Sequence, residues 1–373
     1  MMRAAILGLG QLSAAGAGIG ALRSALARGV PIEPTRLPCT KGGPRQSFQL
    51  LRARTEGTED LVPPRAARRL DDFSLRALCA AELALADAGF AIDRPERVGV
   101  IVATGWGAIV SSFGFLDAII DKGDSLASPV CFAQSVHNAP ASIVSATLGA
   151  TGPILTVTGF SHAWPRALWI ALDWIERGSV DLVLLGSAEQ MHEGLASGLM
   201  GLGGWSEQGE LRPLDLDRAS YVPGETYTAM LLGRPARAER PAKWGTVDEP
   251  IFFRDELPPG DDEAPLFLAA CGDPREAEGY RRVVQCGAPV AAYGALWGAN
   301  PTADALTVMA AAASLQAGMF YASPRAETAS AGLAVLPAGP CGPGPVVRCC
   351  TIDGAGAGVV VAVRADSLVG QRA

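Results

Sequence analysis

Trp164, Ala167, Leu168, Ala171, Leu172 and Ile175 recur at i, i+3, i+4, i+7, i+8 and i+11. That spacing draws one continuous apolar stripe and predicts an amphipathic helix with a buried face. A second helix is predicted over Leu70 to Ala88, with Leu75, Leu78, Ala81, Leu85 and Ala88 near one face and Gly89 closing it. Gly18 to Ala27, Pro140 to Leu148 and Ala303 to Phe320 read as further helices. Between them, short apolar runs predict buried strands: Ala4 to Leu7, Arg97 to Thr104, Ile154 to Thr158, Val180 to Glu189 and Thr226 to Gly233. The segments PLFLAAC, APVAAYGA and GVVVAV repeat the theme later in the chain. Strands alternating with helices imply a layered α/β fold. Arg36 to Thr58 is polar and irregular and reads as a surface excursion. Charged, Pro-rich composition from Arg234 to Ala264 marks a boundary, giving halves 1–235 and 236–373.

Three charge-free stretches stand out: Val98 to Leu116, Ser125 to Pro165 and Ala305 to Pro324. Each is long enough to be compared with a membrane span of about 18 or more apolar residues. The first two are broken by Gly, Pro, Ser or Asn, and the third carries Gln316 within a run of Ala. They read as buried protein interior, and no membrane association is expected. Ser125 to Pro165 is unusually long for one core, which points to a second subunit against it. The 373 residues are 49% hydrophobic and 18% charged, with a net charge of -7, so a nucleic-acid or anionic-membrane partner is disfavoured. The eight cysteines contain no C-x-x-C spacing, and they read as reduced thiols of a cytoplasmic protein. The start, MMRAAILGLGQLSAAGAG, imitates a signal peptide, but a strand followed by a Gly-rich turn explains it equally well.

Several motifs begin and then fail. GLGQLS (Gly8 to Ser13) puts Ser13 where a dinucleotide fingerprint needs its third glycine, and reads as a strand-to-loop turn. HEGLA (His192 to Ala196) ends in Ala196 instead of a second histidine, so no zinc helix is expected. GFSHA (Gly159 to Ala163) is one residue short of the G-x-S-x-G elbow. The chain's three histidines are His137, His162 and His192, and none lies far enough downstream to complete an α/β-hydrolase triad around Ser161. Ser161 still sits between a β-branched strand and a buried helix whose Pro165 suits a first turn. Two roles stay open there: a polar group at a helix N-terminus that favours an anion, or a plain helix cap.

The longer segments carry a resemblance. AAILGLGQLSAAGAGIGALRSAL, the run from Ser128 through GPILTVTGFSHAWPRALWIAL, and RPLDLDRASYVPGETYTAMLLG (Arg212 to Gly233) are similar to the β-ketoacyl synthase family. DGAGAGVVVAV is a looser match to that family's Gly-rich loop and closing strand. The resemblance implies a thiolase-like fold: two pseudo-duplicated βαβ halves in an α-β-α-β-α arrangement, with neither cofactor nor metal. Active members condense acyl units with one cysteine and two histidines. The cysteine position falls on Ser161. The first histidine's H-G-T-G-T run is shortened here to AACGDPREAE, ending at Glu278, and the second histidine's place is taken by Ala299 in GANPTA.

With both imidazoles gone, condensation by this chain alone is not expected. The resemblance therefore implies a non-condensing, chain-length-factor-like subunit. Such a subunit pairs with an active ketosynthase, or with a second copy of itself, and serves chains carried on an acyl carrier protein. Ile154 to Thr158 is then the dimer-contact strand. Cys131, Phe132, Gln134, His137, Phe160 and His162 are the candidates for the acyl tunnel and the interface. The alternative is an acyltransferase that uses Ser161 to accept an acyl group, for which the sequence shows no base.

Overall fold

Strands on the two sides of residue 235 follow the same ladder order. A computed structural model describes residues 1–39, 46–235, 242–260, 263–342 and 344–365. The main strands are β1 (Arg3–Ser13), β2 (Val98–Thr104), β3 (Ile154–Thr158), β4 (Leu182–Glu189), β5 (Thr226–Gly233), β6 (Thr246–Asp248), β7 (Leu266–Leu268), β8 (Val290–Ala291), β9 (Val346–Ile352) and β10 (Gly358–Arg364). They run across one sheet as β8-β7-β9-β10-β6-β1-β5-β4-β2-β3. Read inward from either edge, the order is third, second, fourth, fifth, first. Strand directions match as well: β2 is parallel to β3 and β4, and β7 to β8 and β9. The remaining pairs in each half are antiparallel. β6 joins the halves by pairing antiparallel with β1. The two pseudo-duplicated halves are thus written in the topology.

The helices are α1 (Gly18–Arg28), α2 (Asp72–Ala88), α3 (Ile109–Lys122), α4 (Pro129–Ser135), α5 (Ala139–Leu148), α6 (Ala163–Glu176), α7 (Glu193–Met200), α8 (Pro274–Val284) and α9 (Asp304–Ala317). Alternate side chains of each strand face different layers, as a period of two requires. On β2, Val98, Val100 and Val102 pack with Leu78, Ala81 and Leu85 of α2, while Ile101 and Ala103 join the central core with α6 and α9. On β7, Phe267 faces that central core, and Leu266 and Leu268 face Tyr280 and Val283 of α8. The result is the expected α-β-α-β-α layering. The stripe of α6 is buried as its spacing predicts. In α9 every residue from Asp304 to Leu315 is buried, because this helix lies in the middle layer.

Several expectations are corrected. The first strand runs from Arg3 to Ser13, well beyond Ala4 to Leu7, so Gly8 to Ser13 is strand and not a turn. Its glycines serve packing: a Cβ at Gly8 would come 2.2 Å from the Ala84 carbonyl oxygen, and one at Gly10 would come 2.1 Å from that of Ala80. They let α2 lie directly on the sheet. α2 itself starts at Asp72, two residues later than Leu70, because the Asp71 carboxylate accepts from the Ser74 N–H at 3.1 Å and caps it. Arg36 to Thr58 contains an antiparallel pair, Thr35–Cys39 with Gln46–Leu50, while residues 40–45 lie outside the described ones. The boundary stretch from Arg234 to Ala264 supplies β6 and a short strand, Ile251–Phe253, on β10. Of the charge-free stretches, the α9 region is interior, but no side chain of α3 or α4 is fully buried. Among the described residues no helix is long and apolar enough to cross a membrane.

Candidate functional site

The loops after the parallel strands of both halves converge on one corner. A Cβ at Gly105, after β2, would come 2.2 Å from the Pro301 Cβ and 3.1 Å from the Gly159 carbonyl oxygen. Loops following β2, β3 and β8 therefore touch there. Ser161 follows β3, after Gly159 and a Phe160 that is 79% exposed. The chain then turns through His162, which has φ 56°, and enters α6 at Ala163. A left-handed non-glycine residue of this kind costs about 1 kcal/mol. His162 holds the N-cap position and neither it nor Ser161 caps the helix with a side-chain bond. The capping role for Ser161 is thereby removed, since the sharp turn places the serine one residue too early. Its hydroxyl instead donates to Asp353 Oδ2 at 3.4 Å, reaching the loop after β9.

Asp353 belongs to the DGAGAG segment, and that loop folds around its carboxylate. Oδ1 accepts from the N–H groups of Ala355 at 3.0 Å and Ala357 at 2.9 Å. The Asp353 N–H donates to the Ala357 carbonyl at 2.8 Å, and the Gly356 N–H donates to the Asp353 carbonyl at 2.9 Å. With Oδ1 held, Oδ2 is left facing Ser161 and His162. His162 is 3% exposed, with Nε2 3.2 Å from the Ala357 carbonyl oxygen and 3.6 Å from Asp353 Oδ2. Burial lowers its pKa, opposed by Asp353 and the Ala357 carbonyl, while the Arg166 cation lowers it further. The ring is therefore neutral near pH 7, with Nε2–H given to Ala357. Its Nδ1 is buried without a partner.

The second half holds no imidazole. Ala299 is 1% exposed and tied by its backbone, its N–H donating to the Val222 carbonyl at 2.8 Å and its carbonyl accepting from the Gly224 N–H at 2.9 Å. Its methyl group can donate nothing. In the shortened AACGDPREAE stretch, Cys271 Sγ donates to Glu276 Oε2 at 3.1 Å. Burial pushes the Glu276 carboxyl up to about 8 and raises the thiol well above its ordinary range. That thiol is not an activated nucleophile, because burial and the neighbouring carboxyls favour its neutral form. Glu189, at the end of β4, accepts from the N–H groups of Gly105 at 2.6 Å and Trp106 at 3.0 Å. Burial nonetheless lifts its carboxyl to about 8. By the pseudo-symmetry, Glu189 and Asp353 end equivalent strands, and each organises the loop beside it.

Of the other candidates, Phe132 is 56% exposed and packs on Phe115 with ring centroids 5.6 Å apart. Cys131 is exposed, and Gln134 donates to the Arg69 carbonyl at 3.3 Å. His137 lies over Gly107, where a Cβ would come 2.3 Å from the imidazole Cδ2. His162 stands apart from this exposed group, buried on the Asp353 loop. His192 is the N-cap of α7, its Nδ1 accepting from the Gly194 N–H at 3.0 Å. Exposed apolar side chains occur on these elements: Leu116 and Ile120 on α3, Val130 and Phe132 on α4, Phe160 at the elbow and Trp169 on α6. β3 ends the sheet, and among the described residues its outer edge is unpaired. Asp353, Glu189, Cys271 and Glu276 are not among the sequence candidates, although they lie in segments already singled out there: DGAGAGVVVAV, Val180 to Glu189 and AACGDPREAE.

This duplicated, five-layered arrangement, with a strand–elbow–helix at the junction of the halves, is the thiolase-like fold. A family model described as "Beta-ketoacyl synthase, N-terminal domain" matches residues 12–238, so the chain belongs to the β-ketoacyl synthase family. Among curated relatives, 3-oxoacyl-[acyl-carrier-protein] synthase 2 of Synechocystis sp. is 26% identical, over 44% of this chain and 42% of that protein. The chloroplastic 3-oxoacyl-[acyl-carrier-protein] synthase I of Arabidopsis thaliana is 24% identical, over 60% of this chain and 49% of that protein. The chain thus spans less than half the length of the relatives it matches. Among solved structures, the ishigamide ketosynthase/chain length factor superposes with a TM-score of 0.82 at 19% identity, covering 98% of this chain and 99% of that one. A β-ketoacyl synthase from Burkholderia phymatum gives 0.76 at 18% identity, covering 98% and 100%. So does the type II PKS complex AntDE:AntF, of a ketosynthase with its acyl-carrier protein, at 17% identity and the same coverage.

Proposed function

We propose that this chain is a non-condensing, chain-length-factor-like subunit that pairs with an active ketosynthase and shapes the tunnel for a carrier-bound acyl chain. Its two units are taken as 1–235 and 236–373. The observation that carries this reading is the absence of any imidazole in the second half, with Ala299 standing where the family's second histidine acts. Without donors aimed at a malonyl thioester, the enolate of a condensation has nothing to stabilise it. The pairing is supported by β3, an unpaired sheet edge flanked by exposed apolar side chains. Such an edge invites a strand from a second molecule. Obligate interfaces bury about 2,000 Å² or more, so on this reading the face must extend beyond β3 to neighbouring helices.

Co-expression with a ketosynthase that retains its cysteine and two histidines tests this directly. The expected product is a stable complex containing one copy of each chain, seen by size exclusion and native mass measurement. A monodisperse monomer at micromolar concentration, with that ketosynthase present, would remove the reading. A stable homodimer that ignores the ketosynthase would replace it with a scaffold or acyl-binding role.

A further inference from the structure

HEGLA is no zinc motif, and the fold takes up its histidine in another way. His192 is the N-cap of α7, and its Nδ1 accepts from the Gly194 N–H at 3.0 Å. We propose that His192 is a pH-sensitive clasp, which holds α7 against Trp106 of the loop after β2 near neutral pH and loosens it in mild acid. This device is independent of any pairing with a ketosynthase.

The imidazole lies flat on Phe113 of α3, with ring centroids 4.3 Å apart and planes 13° from parallel. A Cβ at Gly194 would come 2.7 Å from the Phe113 ring and 3.2 Å from His192 Nδ1, so the backbone closes on both rings at once. α7 itself is short: it has eight residues, and Gly194 and Gly198 inside it both weaken a helix. Its stability therefore leans on the cap and on packing. That packing is with its surroundings, since Met191 and Ala196 are buried with Phe48 and Leu50 of the hairpin and with Trp106. Trp106 follows Gly105, the residue that meets Pro301 and Gly159 at the corner. Whatever loosens α7 therefore loosens the cover on that loop.

Histidine is the side chain that ordinarily changes charge between about pH 5 and 8. A neutral ring offers one nitrogen as an acceptor, whereas a protonated ring carries N–H at both and offers none. Stacking on Phe113 survives protonation, because a cation is attracted to an aromatic face. The ring then stays in place and turns a donor toward the Gly194 N–H. A positive charge at a helix N-terminus also opposes the dipole. The charged groups around the ring are Glu193 beside it, Asp117 one turn past Phe113 on α3, and Glu225 just before β5. Glu225 accepts from the Met191 N–H at 3.3 Å and pairs with Arg76 at 3.5 Å. On the hairpin, Arg36 donates to Ser47 at 2.7 Å. The acidic groups steady a charged ring without replacing Nδ1 as the acceptor of the Gly194 N–H. The cap is thus present with the ring neutral and lost as pH falls.

The test is hydrogen exchange of the purified full chain at about pH 5 and about pH 8, read by mass spectrometry and corrected for the intrinsic pH dependence of amide exchange. Peptides covering α7 are compared with those covering α6 in the same sample. Protection of α7 should fall about fivefold in acid, the factor that loss of one N-cap gives, while α6 is unchanged. His192→Asn keeps a good cap that does not titrate, so its α7 should stay protected at both pH values. His192→Ala has no cap, and its α7 should exchange at the faster level at both. Four results would overturn the clasp. One is a change in α7 of less than about twofold, below what a lost cap gives. Another is an equal loss in α6, which would make the opening global. The third is a pH response that survives in His192→Asn, which would assign it to Glu225, Asp117 or Glu193. The last is His192→Ala as protected as the wild type at about pH 8, where the neutral ring should cap.

Discussion

Asp304 opens α9 in the middle layer, where it is 6% exposed, and replacing it with asparagine should stabilise the protein in a pH-dependent way. Its Oδ1 accepts from the Ala305 N–H at 3.1 Å, while Oδ2 is buried with no partner. Burial pushes this carboxyl from 3.8 up to about 7, with the Ala305 and Asp304 amides pulling it back only in part. That displacement corresponds to about 4 kcal/mol between the two protonation states. The folded pKa is the raised one, so below about pH 4 both states hold the proton and the group costs nothing by titration. As pH rises the unfolded chain releases its proton first, and the penalty on the folded state grows until it is complete above about pH 7.

Asparagine cannot ionise, keeps an oxygen for the Ala305 N–H, and leaves one unsatisfied polar group, as protonated Asp304 does. It gives up the favourable placement of a negative charge in a first helical turn, about 0.3–1 kcal/mol. Asp304→Asn should therefore be more stable than the wild type at pH 8 by about 3 kcal/mol. That advantage should shrink steadily toward pH 5. Paired urea or thermal melts at pH 5, 6, 7 and 8 measure it, and other titrating groups cancel because both proteins carry them. If Asp304→Asn melts lower at pH 8, or if the gap does not narrow on acidification, the carboxylate has a compensating partner and the reasoning fails.

Three further outcomes follow from the same structure. Gly10→Ala places a methyl 2.1 Å from the backbone oxygen of Ala80, so α2 must lift from β1, and a loss of about 2 kcal/mol or more should appear as a lower Tm. Ser161→Cys, in the complex with an inactivated ketosynthase, should yield no condensation product from malonyl and acyl carrier proteins; turnover there would show that the site does not need the missing imidazoles. Phe132→Trp enlarges an exposed side chain on the face proposed to meet the partner, and should shorten the products of an otherwise intact complex, read as their chain-length distribution by mass spectrometry.

What the chain discloses in sequence depends on whether each residue's partner is local. The α6 stripe is legible because one buried face at 3.6-residue spacing needs no knowledge of what covers it. α3 and α4 mislead for the opposite reason: they are apolar without being interior, and only coordinates distinguish a covered face from one left open. Gly8 and Gly10 imitate a turn because glycine permits both bending and close approach, and their strand role follows from α2, some 70 residues later. The site is the least local element of all. Ser161 sits in the first half and Asp353 in the second, brought together because β3 and β9 end beside the same junction. The duplicated ladder predicts such crossings in principle, since each half alone provides only one wall of the corner. On the proposed reading, a second half without histidine has lost the condensing chemistry from one wall only. The elbow and the N-terminus of α6 remain on the first-half wall, and Asp353 of the second half faces Ser161 across the corner.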